Sequence, residues 1–398
     1  MTELCFRPIK AATAQEFDLL CTGVGAHFRP LERGFEAPVS ALQRVNDRLP
    51  LFQNAVTKEW LDRYFRFQSS GTTRLGVLEA RGALVHDDWG LTLSKKAQVA
   101  GEHIALSSLH GFGWEENHLG YMARNGFLAM QESGSYRLDD SRLERRRLEG
   151  RVALLSFPGV HTYGHWIVDV AARLELLNAT EDLHAIDAFL MPTPAPWMLP
   201  FLAAYGVPSE KIVPLDKTTV FEMDRLLMPT TLSQHEGGVV PIGFAGQIFR
   251  RLGDISSTWG RTPPRGKPVP SVPIMLIEHT AMTSKTGREL ENADALKSLI
   301  LEMGGEVANP LKITLSALLM RLRHTKLALG LDSSALHNLA MAPCDLIAIQ
   351  TAPRFNMLHP SIQEATGKRV GFIQADETPS GWQVDLQAMK AMIREAHG

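Results

Sequence analysis

Apolar residues follow two different patterns along the chain, and the second pattern occurs twice. Between residues 74 and 110, short apolar stretches alternate with Gly and Asp turns at intervals of about ten residues, a pattern typical of a β-meander or of successive hairpins. From residue 152 onward, apolar runs of strand length alternate with longer runs of helical periodicity, and this alternation starts again at residue 274. Strands that alternate with helices predict mostly parallel sheets, so we expect an α/β fold with two Rossmann-like halves and a β-rich N-terminal extension.

The same pattern locates the elements of both halves. The first half is predicted to hold strands at 152–157, 187–192, 211–215 and 220–229 and helices at 163–179, 196–206 and 239–262. The second half is predicted to hold strands at 274–278, 305–310, 326–331, 345–350 and 369–374 and helices at 287–303, 314–323, 333–343 and 383–396. Five prolines in residues 261–273 predict a linker between the halves. The predicted domains are therefore an N-terminal extension (1–150), β-rich from about 74, an N-terminal lobe (151–262) and a C-terminal lobe (274–398).

A charged segment, residues 139–151, joins the extension to the first lobe. It carries five arginines and four acidic residues. This composition favours a solvated helix or a linker, and a contact with an anionic lipid or an acceptor phosphate is the alternative.

Composition narrows the class of protein. The chain has 398 residues, of which 44% are hydrophobic and 21% charged, as in folded globular proteins. A net charge of −2 argues against a nucleic-acid partner. Cys5, Cys21 and Cys344 are too few and too scattered for a disulfide framework or a zinc site, and they fit a reducing compartment. No apolar run has the length of a signal peptide core or a membrane span, so we expect a cytoplasmic protein without a transmembrane segment.

The predicted helix 163–179 carries the first candidate site. His165, Asp169 and Arg173 recur at intervals of four residues and so share one helical face, with the histidine nearest the N-terminus. A histidine oriented by a carboxylate is a plausible general base. The alternative is a structural column of hydrogen bonds that holds the helix to its sheet.

The second candidate site is the turn between the strand 326–331 and the next helix. Asp332, Ser333 and Ser334 form this turn. The N–H groups and the dipole of a helix start favour a phosphate, and the serines add hydroxyl groups. Asp332 is unsuited to a phosphate and could instead bind a sugar hydroxyl or cap the helix.

The third candidate site follows the strand 274–278. A loop with His279 and Lys285 leads to Arg288 and Asn292, which lie on one face of the predicted helix. Lys and Arg side chains suit a pyrophosphate, and a solvated helix start is the alternative. The sequence lacks a P-loop, a dinucleotide-binding glycine motif, a nucleophile elbow and an Asp-x-Asp motif, so we expect no metal ion.

Together, the three candidate sites resemble the motifs of glycosyltransferase family 61, which includes capsular-polysaccharide and xylan-type transferases. The matching residues are Tyr163, His165, Trp166, Asp169, Arg173, Leu174, Arg288, Asn292, Gly330, Leu336, Asn338 and Leu339. His279 stands where the family has an arginine, and Asp332 and Ser333 stand where it has a histidine and a glycine. The resemblance covers about residues 75–398.

The resemblance implies an inverting, metal-independent transferase of GT-B-like fold, with the acceptor on the N-terminal lobe and a nucleotide sugar on the C-terminal lobe. His165 would be the base, oriented by Asp169 and supported by Arg173, although Asp169 could itself be the base. Lys285, Arg288 and the Ser333–Ser334 turn would hold the diphosphate, and the donor set would be completed by His279, Asn292, Asp332, His337 and Asn338.

The resemblance further implies that the donor is a co-substrate, with a UDP-sugar favoured, and that no cofactor is needed. The acceptor would be a glycan or another hydroxyl compound of surface-polysaccharide biosynthesis, at the inner face of the cell membrane. Two other functions remain open. One is a non-catalytic nucleotide-sugar-binding subunit of a polysaccharide assembly complex. The other is a nucleotide-sugar hydrolase or epimerase.

Overall fold

The fold was obtained from a computed structural model, which describes the chain in several ranges. These ranges are 3–8, 21–23, 25–31, 75–99, 102–106, 119–120, 122–124, 126–156, 159–231, 242–259, 272–278, 290–351 and 358–397. Their residues cluster in two compact units, one made from the described residues up to 231 and the other from those after 241. The α/β class is confirmed, since both units combine a sheet with helices.

The described residues of the first unit contain an eleven-stranded mixed sheet. Its strands are β1 (Glu3–Pro8), β2 (Ala26–Pro30), β3 (Gly76–His86), β4 (Leu91–Val99), β5 (Glu102–Ala105), β6 (Ala129–Met130), β7 (Tyr136–Asp139), β8 (Glu144–Leu154), β9 (Ala188–Pro192), β10 (Ile212–Leu215) and β11 (Thr219–Pro229). The order is β10-β9-β8-β11-β3-β4-β5-β1-β7-β6, and β2 pairs with β3. Strands β8 to β11 pair in parallel with one another, and β11 pairs antiparallel with β3. Strands β3, β4 and β5 form antiparallel hairpins, as the meander pattern predicts.

The charged segment 139–151 is not a helix or a linker, and that prediction is wrong. Residues 144–151 form most of β8, whose backbone pairs in parallel with β11. Its guanidinium groups face acids: Arg147 donates to Asp224 at 2.8 Å, and Arg151 pairs with Glu181. These ion pairs lie within the protein, so the arginines do not require a lipid or phosphate partner. The prediction was wrong because it relied on local composition, whereas the strand is stabilised by backbone pairing with β11.

The predicted domain boundaries differ from those of the units for two physical reasons. The boundary at 150/151 falls inside β8, so the β-rich extension and the first lobe share one continuous sheet. The predicted helix 239–262 is observed as Ile242–Ser257, and it packs against helices of the second unit. Gly246 permits that packing, because a Cβ there would lie 2.3 Å from the carbonyl oxygen of Ala365.

The second unit contains a six-stranded sheet in the order β13-β12-β14-β15-β16-β17. Its strands are β12 (Val272–Ile277), β13 (Glu306–Ala308), β14 (Thr325–Leu331), β15 (Asp345–Thr351), β16 (Val370–Glu377) and β17 (Trp382–Gln383). All pairings are parallel except that of β17. The predicted strands of this half therefore exist, and the apolar side chains of β12, β14 and β15 form the core.

Helical segments connect these strands. They are α1 (Tyr163–His165), a π-helical turn (Trp166–Val170), α2 (Ala171–Thr180), α3 (Leu199–Ala204), α4 (Ile242–Ser257), α5 (Ala293–Glu302), α6 (Leu315–Arg323), α7 (Leu358–Ala365), α8 (Leu386–His397) and 3₁₀ turns at Leu183–Ala185, Ser209–Lys211 and Ser334–Met341. The predicted α-helix 333–343 is thus a 3₁₀ segment, and α7 was not predicted. Within the ranges described above, no helix is long and apolar enough to span a membrane.

Candidate active site

The first candidate site lies on the helical segment that follows β8. The segment starts as α1, widens into the π turn Trp166–Val170 and continues as α2. Short π turns inside helices are frequent at functional sites. Here the π turn contains Asp169, and His165 immediately precedes it.

His165 and Asp169 form the predicted pair. Nδ1 of His165 lies 3.2 Å from Oδ2 of Asp169. A carboxylate only accepts hydrogen bonds, so Nδ1 carries the proton and the neutral imidazole has its lone pair on Nε2. The Asp169 side chain is fully buried, whereas 35% of the His165 side chain is exposed. The pair therefore presents a polarised imidazole at the surface of the unit, backed by a buried carboxylate.

Thr231, just beyond β11, holds the other oxygen of Asp169. Its hydroxyl donates to Oδ1 at 2.6 Å, and the contact is buried. A hydrogen bond to a charged acceptor contributes about 1.5–3 kcal/mol. Because Oδ1 accepts from the Thr231 hydroxyl, Oδ2 is directed toward Nδ1 of His165.

Arg173, the third member of the predicted column, is fully buried and anchors the helix to the end of β8. Its guanidinium donates to the carbonyl oxygen of Ser156. Burial lowers the pKa of Arg173 to about 10, while the Asp169 carboxylate acts in the opposite direction. Arg173 is therefore charged at neutral pH and compensates the buried charge of Asp169.

The imidazole of His165 lies close to a glycine. Gly159 has φ +89°, and a Cβ there would lie 2.9 Å from Cδ2 of His165. Residues before and after His165 carry aromatic rings that pack together: Tyr163 lies edge-on to Trp197, with ring centroids 5.0 Å apart, and Trp197 also contacts the buried Trp166. Gly159 therefore limits the space on one side of the imidazole, and the aromatic contacts fix the helical segment that carries His165.

The second candidate site, at the carboxyl end of β14, contains a chain of three side chains. Nδ1 of His359 lies 2.7 Å from Oδ1 of Asp332, and Nε2 of His359 lies 3.2 Å from Nδ1 of His337. The rings of the two histidines are edge-on, 4.6 Å apart. Both histidines are buried. Asp332 and His337, which the sequence singled out separately, are therefore linked by His359.

The order of donors in this chain follows from the chemistry of the groups. Asp332 accepts, so His359 carries its proton on Nδ1 and, when neutral, accepts at Nε2. This N–H is not well aligned with the carboxylate oxygen, so the 2.7 Å contact is mainly electrostatic. Nδ1 of His337 donates, since it also lies 3.1 Å from the carbonyl oxygen of Ser334. When both imidazoles are neutral, the lone pair of His337 is therefore on Nε2.

Of three other predicted donor residues, two have side-chain contacts with the backbone. Ser333 precedes the 3₁₀ segment but makes no side-chain capping hydrogen bond. Asn338 is buried and donates to the carbonyl oxygen of Ala335. Both groups of the Asn292 amide bind the backbone of Val384, at 2.7 and 3.2 Å. Asn292 therefore joins the start of α5 to the residues just before α8, and its predicted role at the donor stays a prediction.

The basic residues of the third candidate site, together with His279, are not placed by the structure. His279, Lys285 and Arg288 lie outside the described residues. Ser334 opens the 3₁₀ segment, where i to i+3 hydrogen bonding replaces the α-helical geometry on which the predicted phosphate site depends.

Three residues of these sites, Thr231, Ser156 and His359, were not predicted from the sequence. Each is distant in sequence from the residue it contacts; Thr231 is 62 positions from Asp169, and His359 is 22 from His337. His359 lies on the unpredicted helix α7. No local periodicity could have indicated these contacts.

Comparison with known proteins adds no assignment. No protein-family model matches the chain, and no curated protein matches its sequence. Within the described ranges, no group of three or more His, Cys, Asp or Glu side chains is arranged to hold a metal ion.

Proposed function

We propose that the protein is an inverting glycosyltransferase that moves a sugar from a nucleotide-sugar donor to a hydroxyl acceptor. The observation that carries the proposal is the His165–Asp169 pair, with its buried carboxylate held by Thr231. The family 61 resemblance supports it, because the pair falls on the first motif of that family. A GT-B-like arrangement of the two α/β units is part of the same proposal.

In the proposed reaction, Nε2 of His165 removes the proton of the acceptor hydroxyl. The acceptor oxygen then forms a bond to the anomeric carbon, while the bond from that carbon to the diphosphate oxygen breaks and the diphosphate leaves with the electron pair. Asp169 stabilises the imidazolium that forms, as expected for a carboxylate on the far nitrogen of a general base. Such a base contributes about 10²–10⁴ in rate.

The second unit supplies the donor site in this proposal. Its parallel strand β14 ends immediately before Asp332, and ligands of parallel sheets bind at the carboxyl ends of strands. A chain of Asp332, His359 and His337 suits hydroxyl groups of a sugar or ribose better than it suits phosphate, because Asp332 repels anions. In this proposal the diphosphate is therefore bound by Lys285 and Arg288, as the resemblance implies.

The test uses His165→Asn, since the Asn amide can still donate to Asp169 but has no group at the position of Nε2. His184→Asn is the matched control, because His184 is exposed in the same unit. UDP release is measured from UDP-glucose, UDP-galactose, UDP-xylose and UDP-N-acetylglucosamine, with and without p-nitrophenyl glycosides as acceptors. Thermal unfolding with and without UDP is measured in parallel, since a ligand of the folded state raises Tm.

We expect acceptor-dependent UDP release that falls at least 100-fold in His165→Asn, with Tm within a few degrees of the parent, and stays unchanged in His184→Asn. Free sugar without an acceptor-dependent product would identify a hydrolase. A Tm shift with UDP but no turnover with any acceptor would identify a binding subunit. Full activity of His165→Asn would remove His165 from the mechanism.

A further inference from the structure

A cavity of about 250 Å³ lies in the first unit, where β3 turns into β4. The loop between β10 and β11, the residues before β6 and the end of β7 complete its wall. The lining residues that carry the argument are His86, Asp88, Trp89, Phe127, Asp139 and Lys217. The His165 pair is not among the residues that line it. Its volume is at the small end of ligand cavities, which suits a molecule of about one ring.

His86 is the most informative residue of this cavity. It is only 7% exposed, and its Nδ1 lies 3.0 Å from the carbonyl oxygen of Thr219. A carbonyl only accepts, so Nδ1 carries the proton and the neutral ring has its lone pair on Nε2. Nε2 has no hydrogen-bond partner among the residues that the structure describes. Because His86 lines the cavity, this buried acceptor is left for a ligand that donates a hydrogen bond.

The charges around the cavity argue against an anionic ligand. Asp87, Asp88 and Asp139 line it, and Lys217 is the basic residue among the lining residues. Oδ2 of Asp88 lies 3.2 Å from Nε2 of His161 and 3.9 Å from Nζ of Lys217. The hydrogen bonds that Ser141 donates hold the pKa of Asp139 below its usual range, so this carboxylate is ionised at neutral pH. Arg137 and Arg142 also act on Asp139, but neither lines the cavity. Among the lining residues, three carboxylates therefore outnumber one ammonium group, which disfavours a phosphate and favours O–H and N–H donors.

The hairpin between β3 and β4 presents an aromatic and an acidic side chain at this wall. Asp87 has φ +61°, and its Oδ1 accepts from the backbone N–H of Trp89 at 2.6 Å and of Gly90 at 3.0 Å. This tight turn holds Asp88 and Trp89 in place. Phe127 is 43% exposed, and Nζ of Lys217 lies 5.0 Å from the centre of its ring.

A site with aromatic rings beside carboxylates can bind both the apolar C–H groups and the hydroxyl groups of a sugar ring. The C–H bonds of the ring pack against the partly negative aromatic faces, while its hydroxyl groups donate to carboxylates and to a neutral imidazole nitrogen. We propose that this cavity binds a neutral, hydroxyl-rich ligand of about one sugar ring, and that a ligand hydroxyl donates to Nε2 of His86. This binding does not depend on the glycosyltransferase proposal, since it requires no donor and no turnover.

The test uses the full chain and neutral methyl glycosides of glucose, mannose and xylose as probes. Saturation-transfer NMR and titration give the affinity, and the Nε2 resonance of His86 reports hydrogen bonding at that atom. Glucose 6-phosphate is the anionic comparison. His86→Asn retains an amide donor for Thr219 but has no acceptor at the position of Nε2. His27→Asn, at an exposed position of β2, is the matched control.

We expect at least one neutral glycoside to bind and to shift the Nε2 resonance, and glucose 6-phosphate to bind at least tenfold more weakly. His86→Asn should weaken binding at least tenfold, and His27→Asn should not change it. Phe127→Ala provides a second variant if His86→Asn does not fold, because Phe127 is partly exposed; it should also weaken binding. The proposal is overturned if no neutral glycoside binds, if the phosphate binds equally well, or if both cavity variants bind like the parent.

Discussion

The hydroxyl of Thr231 donates a 2.6 Å hydrogen bond to Oδ1 of Asp169. Thr231 lies just after β11, whereas Asp169 lies in the helical segment that follows β8. The hydrogen bond between them is buried. With Oδ1 held by Thr231, Oδ2 is directed to His165. The orientation of the candidate base is therefore set by a contact across the sheet, and not by its own helix alone.

Thr231→Val removes this hydroxyl at nearly constant volume. We expect the proposed transfer activity to fall about tenfold, the equivalent of about 1.4 kcal/mol, because Asp169 loses a donor and no longer holds His165 as firmly. Thr230→Val is the matched control, since the Thr230 hydroxyl binds the backbone of Gly76 instead. Steady-state kinetics of both variants check this prediction, and an equal loss in the two would show a general packing effect.

Gly159→Ala should displace the His165 imidazole. The new Cβ would lie 2.9 Å from the ring, at a φ of +89° that alanine rarely adopts. We expect activity to fall at least tenfold and the unfolding free energy to fall by about 1 kcal/mol or more.

Gly134→Ala separates these two effects. Gly134 has φ +79°, but nothing lies within 4 Å of its added Cβ. This control should lose stability by a similar backbone cost and keep its activity. If Gly159→Ala is as active as Gly134→Ala, the glycine does not position His165.

Asp332 and His337 should be energetically coupled through His359. In a double-mutant cycle of Asp332→Ala and His337→Ala, we expect a coupling of about 1 kcal/mol in unfolding free energy, within the range for residues of one network. Repeating the cycle in a His359→Phe background should abolish the coupling, because both ring nitrogens are then missing. Denaturant unfolding measures all variants. A coupling that persists without His359 would contradict the contact chain.

Lys368 predicts an unusual dependence of stability on pH. Its ammonium donates to the carbonyl oxygens of Ala342, at 2.8 Å, and of Leu339, at the end of the 3₁₀ segment. Burial lowers the pKa of Lys368 from 10.5 to about 8. Between these values the unfolded chain binds more protons than the folded chain, so the contribution of Lys368 to stability rises with pH from about 8 to 10.5 and is smallest below 8.

Comparison of the parent with Lys368→Met isolates this effect. The difference in unfolding free energy should shift in favour of the parent by up to about 3 kcal/mol across that window, at about 1.4 kcal/mol per pKa unit. Burial raises the pKa of the nearby Cys344 thiol from 9.0 to about 12, which acts in the opposite direction. Because Lys368 also acts on this thiol, both proteins are compared in a Cys344→Ala background. Lys326→Met, at an exposed position, is the control. A difference that does not change between pH 8 and 10.5 would contradict the prediction.

Local sequence patterns predicted much of the fold. The strands of the second unit and the hairpins β3–β5 follow from apolar periodicity. The apolar residues that each strand buries recur at regular intervals within that strand, so a short stretch of sequence is enough to predict it. The strand β8 was mispredicted because its charged half is stabilised by backbone pairing to β11 and by ion pairs with distant acids. The 3₁₀ geometry of Ser334–Met341 was also not predicted, since helical periodicity alone does not distinguish it from an α-helix.

The sequence by itself determined the α/β class and the His165–Asp169 contact, because a four-residue interval places two side chains together wherever the helix lies. Only the tertiary structure decided which oxygen of Asp169 faces His165, and it alone linked Asp332 to His337 and left His86 facing a cavity. These features depend on Thr231, His359 and Thr219, which reach their partners through the pairing of strands and the packing of helices. Hydrogen bonds between residues distant in sequence form only after the sheet has brought them together.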